Sequence, residues 1–237
     1  MTRAGGAGPL RRWAVIAGAL AVFATLCALG VWQVQRLAWK TDLIARVETR
    51  LAAPPIPAPG PAEWAGLDPR DAEYRRVEVT GSFRTNNDTL VKAVTERGPG
   101  FWVMTPMQTP QGWLVLVNRG FVADTARDDR PLPDGKVTVT GLMRISQPGG
   151  AFLRANDPEA GRWYSRDTAA IAATQGIGPV APYFIDADAG GTDAQPVGGL
   201  TVIRFRNSHL GYALTWFSLA ALWAGWIIWA RRRVPHG

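Results

Sequence analysis

The chain has 237 residues, is 47% hydrophobic and carries a formal net charge of +7. Its 19 acidic residues, from Asp42 to Asp193, are matched by the Lys and Arg residues between Lys40 and Arg206, so the excess is Arg3, Arg11, Arg12, Arg36 and Arg231 to Arg233. Six of these flank the far ends of two apolar runs. That is a membrane-topology pattern rather than a phosphate-binding patch, and it argues against a nucleic-acid partner. The single cysteine, Cys27, excludes an intramolecular disulfide and a cysteine-based metal site.

Residues 1–12 read as a short basic cytoplasmic lead, too short for a mitochondrial presequence, which points to a bacterial plasma membrane protein or a processed chain. Residues 13–35 run without charge and are long enough to cross a hydrocarbon core of about 30 Å. A cleaved signal peptide would want a shorter core and an A-x-A site, and a lipoprotein site would want a small residue at Leu26. An uncleaved span with Trp13 and Trp32 at the two interfaces fits best. Ala14/Gly18, Ala17/Ala21 and Ala24/Ala28 offer close approach to a second helix, or are simply the alanines of a bacterial span. Residues 36–61 continue the helix to about Leu51, with Trp32, Arg36 and Trp39 on one stripe, and then form a proline-rich extended linker.

Residues 62–206 form a β-rich domain, and from Tyr74 the pattern changes to a period of two. Val77, Val79, Gly81 and Phe83 alternate with polar neighbours, which predicts a half-buried strand. Thr89–Val94, Phe101–Met107, Val137–Ile145, Tyr183–Asp186 and Leu200–Phe205 read as further strands. Trp113 to Val117 is apolar on both faces and predicts a central strand ending at Asn118-Arg119-Gly120. Asp167–Gln175 predicts a short helix closed by Gly176, and Asp186–Gly199 a surface loop. Residues 207–230 form a second span and residues 231–237 a cytoplasmic tail. The fold class is a membrane protein: two transmembrane helices bracketing an extracytoplasmic α+β, mainly antiparallel β domain, with both termini cytoplasmic.

His209 stands at the head of the second span. An imidazole there can ligate a metal, or can cap the helix and bind water. His209, Tyr212 and Trp216 recur at i, i+3 and i+7 on one helix face. Gln33 and Gln35 lie at the same boundary and suit hydrogen bonds to the second helix or simple anchoring. Asn118-Arg119-Gly120 reads as a strand end closed by a turn, or as a polar contact for a cofactor or partner. The stretch from Lys40 to Ser208 has no histidine, and the chain has no HExxH, CxxC or phosphate loop, so no catalytic residue is assigned and no enzyme is expected.

Five blocks then fall in order. They are Gly30-x-Trp32-Gln33-x-x-Arg36-x-x-Trp39-Lys40; Tyr74-Arg75-x-Val77-x-x-x-Gly81-x-Phe83; Val115-x-Val117-Asn118-Arg119-Gly120; Asn156-Asp157-Pro158 with Trp163 and Arg166-Asp167; and Asn207-x-His209-Leu210-x-Tyr212-Ala213-x-Thr215-Trp216. Together, over Trp13 to Trp229, they resemble the Surfeit locus protein one family, assembly factors for haem-a-containing cytochrome c oxidase. The chain departs from that pattern at Phe121, Ala123, Ser208 and Phe217. The resemblance implies a chaperone-like protein of the respiratory chain that binds haem A transiently. His209 would be the haem-iron ligand, with Tyr212 and Trp216 packing the cofactor and Arg204 and Arg206 meeting its propionates or lipid headgroups. The implied partners are oxidase subunit one, haem A synthase and the lipid bilayer. A scaffold that joins these partners without binding haem stands as the alternative, and an extracytoplasmic enzyme as a weaker third.

Overall fold

The computed structural model describes residues 9–151, 154–190, 195–200 and 207–233. The chain separates into two compact units: one comprises its two ends, up to Arg46 and from Arg204, and the other runs from Val47 to Ile203.

The second unit is a β-barrel. Its strands are β1 (Ile56–Pro57), β2 (Arg76–Phe83), β3 (Thr89–Thr95), β4 (Gly98–Gln108), β5 (Leu114–Ala123), β6 (Lys136–Ile145) and β7 (Val180–Ala187). They run in the order β1-β2-β6-β7-β5-β4-β3, and a further pairing of β2 with β4 closes the sheet on itself. That closure needs a close backbone approach at Gly81, where a β-carbon would lie 2.4 Å from the Gln108 carbonyl oxygen. Most pairings are antiparallel, but β5 lies parallel to β7, and β1 parallel to β2. Inward residues follow the expected period. Val77 and Val79 on β2, Val115 and Val117 on β5, Met143 on β6, and Tyr183 and Ile185 on β7 fill the barrel with Met107. Alternate residues on the outside, Met104, Leu116 and Phe184, are covered by Trp163 and by Ile171 of a short helix, Thr168–Gln175.

That helix begins where Asp167 accepts from the Ala170 amide and stops at Gly176, whose φ of 61° suits glycine. The strand over Trp113–Val117 is central, as its two-faced apolar pattern requires, but it does not end at Asn118. It continues to Ala123, because Asn118 and Arg119 find buried partners inside the fold. The Pro-rich stretch after Ala52 is not only a linker: Ile56–Pro57 is an edge strand, and Ala58 packs on the core. Asp186, expected both to end one strand and to open the loop that follows, belongs to the strand: it sits in β7 and is 3% exposed. The strand expected over Leu200–Phe205 lies outside the described residues.

Tyr183 ties this linker down. Its hydroxyl, inside the barrel, donates to the Pro59 carbonyl at 2.6 Å, and the Trp64 indole donates to the same oxygen at 2.9 Å. Burial pushes the Tyr183 phenol well above its ordinary value. The folded chain therefore holds this proton where the unfolded chain has begun to lose it, and stability falls as pH rises past about 10. Tyr183→Phe is expected to cost about 1 kcal/mol at neutral pH, since Pro59 keeps one donor. It should also remove about 1.4 kcal/mol per pH unit of alkaline destabilisation. Urea denaturation at pH 7 and pH 11 checks both.

The first unit contains two helices, the long N-terminal one (Pro9–Ala52, α1), up to Arg46, and the C-terminal one (His209–Arg232, α5). Both are long and apolar enough to cross a membrane, and little of either apolar stretch is buried inside the protein. They form an antiparallel pair. His209 meets Gln33, and Trp223 meets Ala19, so the two contacts are equally spaced on the two helices. The less exposed positions recur at steps of three and four: Ile16, Ala19, Phe23, Leu26, Gly30 and Gln33 on α1, and His209, Ala213, Trp216, Ala220, Trp223 and Ile227 on α5. This is the repeat of a coiled-coil seam. Ala14, Ala17, Gly18, Ala21, Ala24 and Ala28 are exposed and face away from the second helix, so of the two readings the close-approach one fails and they are simply small residues of the span. Gly30 serves instead: a β-carbon there would lie 2.6 Å from the Phe217 ring.

Candidate functional site

His209 is the first residue of α5 and is half-buried. Its Nδ1 lies 2.8 Å from Oε1 of Gln33, which is 8% exposed. An amide oxygen only accepts, so Nδ1 carries the proton and donates. In a neutral ring that leaves Nε2 with its lone pair, and Nε2 has no hydrogen bond among the described residues. A half-exposed imidazole with one nitrogen held and the other open is what a haem-iron ligand requires, so the residues present fit that group.

The other residues expected at this site divide. Trp216 lies on the seam, half-buried, two turns below His209. Tyr212 is 56% exposed and stands off the seam. Among the described residues no side-chain hydrogen bond or ring contact joins His209, Tyr212 and Trp216. Arg204 and Arg206 lie outside the described residues. Gln33 makes the interhelical bond expected of it, whereas Gln35 is exposed. Arg36 lies over the Trp39 ring at 4.7 Å.

A second polar constellation lies on the outer face of the barrel, and it escapes a reading of the sequence. Asp186 accepts from Asn118 Nδ2 at 2.8 Å, from Arg144 at 2.9 Å and from Arg166 at 3.2 Å. Arg144 also donates to Glu73 at 2.8 Å and lies 4.7 Å over the Tyr74 ring. Among the described residues the cluster thus joins two guanidinium and two carboxylate groups. Burial alone would lower Arg144, but the Asp186 and Glu73 carboxylates outweigh it and hold that group above its ordinary value. Burial wins at Arg166 and pulls it down, with Arg144 pushing the same way. Arg119 turns elsewhere. It donates to the Pro131 carbonyl and lies 4.0 Å from Asp88, and burial again lowers its value.

The middle sequence blocks thus build the barrel. Asn118 also accepts from the Gly120 amide, and Asn156 accepts from the amides of Tyr164 and Ser165, fixing the loop that carries Trp163. The signal for Asp186 was weak but present: Tyr183, Phe184 and Ile185 are apolar on both faces, so an acid next in the strand needs partners.

The sequence matches the SURF1 family over residues 20–221. Surfeit locus protein 1 of Rattus norvegicus is 37% identical over an alignment covering 90% of this chain and 74% of that protein. The Mus musculus protein of the same name is 38% identical, covering 85% and 71%, and that of Homo sapiens 36% identical, covering 83% and 71%. The matched stretch begins inside α1, takes in the whole barrel with its Asp186 cluster, passes His209 and ends inside α5, and on that evidence the chain belongs to the SURF1 family.

Proposed function

We propose that this chain is a membrane-anchored assembly factor for haem-a-containing cytochrome c oxidase, and that it receives haem A at His209 and passes it to oxidase subunit one. α1 and α5 cross the membrane, a bacterial plasma membrane, with the arginine-flanked ends in the cytoplasm and the β domain on the other side. Haem A synthase is the natural donor of the cofactor. The observation that carries the reading is the His209 ring, held by Gln33 at the head of an apolar helix pair with Nε2 open. Support for the membrane comes from the outward faces, where Leu20, Val22, Leu214, Leu222 and Ile228 are all exposed. Such surfaces need an apolar solvent.

His209 would hold the iron, and Arg204 and Arg206, five and three residues before it, suit the propionates. Trp216 and Tyr212 offer aromatic surface for the ring or its tail. Haem A supplies only coordination here: the chain binds and releases it, and no substrate bond is made or broken. Co-expressed with haem A synthesis, the purified protein is expected to show a haem A absorption spectrum that His209→Ala abolishes. Equal haem content in the variant would refute the ligand role.

One observation favours a second reading. The bond between His209 and Gln33 would pin the helix pair whether or not haem binds. A colourless protein that still co-purifies with oxidase subunits would then mark a scaffold.

A further inference from the structure

We infer that Gln33 is the positioning residue for the His209 ligand: its amide oxygen fixes the ring as the Nδ1–H tautomer and tunes the electron density that Nε2 offers to the iron. The inference rests on the haem reading above and deepens it. An uncharged amide buried in an otherwise apolar helix seam is unfavourable unless hydrogen-bonded, and the partner given to Gln33 among the described residues is His209. The bond crosses between two helices, and the equally spaced contact of Trp223 with Ala19 fixes their register. Neither helix can slide to release the ring without losing both contacts. With Nδ1 donating, only Nε2 can ligate. A ligand nitrogen whose ring partner is held by an acceptor binds metal more tightly. Tautomer and ring orientation are thus both set from the first helix, by one of the polar residues in the Trp32-Gln33 block.

The test uses the full-length protein in lipid nanodiscs, titrated with haem A, with affinity and reduction potential as readouts. Gln33→Leu removes the acceptor and is expected to weaken haem A binding about 10- to 100-fold. Gln33→Glu keeps the acceptor in the same place. It should bind within a few-fold of the parent, with a more negative potential, because a carboxylate pushes more electron density through the ring to the iron. Unchanged affinity in Gln33→Leu, loss of binding in both variants, or an unchanged potential in Gln33→Glu would each overturn the inference. Failure of the haem reading itself looks different: His209→Ala would then bind as well as the parent.

Discussion

Asp186→Ala is expected to remove a large part of the folded stability of the β domain. The carboxylate is 3% exposed and accepts from Asn118, Arg144 and Arg166. Without it, among the described residues, two buried guanidinium groups face one remaining carboxylate, Glu73, and an Asn118 donor is left without its acceptor. Breaking a buried pair from one side costs about 3–5 kcal/mol, because the remaining charge stays out of water. A domain of ordinary stability has only about 5–15 kcal/mol to lose. The transition temperature should fall by on the order of 10 °C. Asp186→Asn keeps an acceptor oxygen but removes the charge, and should fall between the parent and the alanine variant. Thermal denaturation of the detergent-solubilised chain, followed by circular dichroism, measures the series. An alanine variant as stable as the parent would show that the cluster is surface decoration.

Gly120→Val is the second large effect. Gly120 has a φ of 135°, a backbone region closed to residues with a β-carbon. A β-carbon there would also lie 2.4 Å from the Val197 carbonyl oxygen. The neighbouring Phe121 exchanges both backbone hydrogen bonds with Val197, so the obstacle is a held backbone segment rather than a yielding side chain. Backbone strain of this kind costs about 1–3 kcal/mol before the clash is added, and the sum should reach at least about 3 kcal/mol. The loss should appear as protease sensitivity in the isolated protein, with no partner present. That outcome separates the fold role of Asn118-Arg119-Gly120 from a partner-contact role, which would leave the isolated protein intact.

Much of this architecture was legible because its signals are local. The alternation of Val77, Val79 and Phe83 gave β2, and the two-faced run at Trp113 gave a central strand. Asp167 and Gly176 bracketed the short helix in the sequence as they do in space. What escaped was non-local. The parallel pairing of β5 with β7 places Asn118 opposite Asp186, and no local pattern announces a partner that distant. Asp186 was legible as the end of a strand, but the run rich in Gly and Asp that follows it hid the partners it finds. The seam between the helices misled differently. Alanine and glycine at steps of four marked one face of α1, but the face that meets α5 carries Phe23, Leu26 and Gln33 beside Gly30. On α5 the most buried positions are two alanines, Ala213 and Ala220, which the register of the pair places on the seam. At the site, the position of His209 was legible, but its tautomer was not, since that depends on Gln33 in the other helix.

Whether His209 ligates iron is tested most directly by chemical complementation. His209→Gly in nanodiscs, loaded with haem A, should lack the histidine-ligated spectrum of the parent and regain it when free imidazole is added. A variant that shows the parent spectrum before imidazole is added would contradict the account.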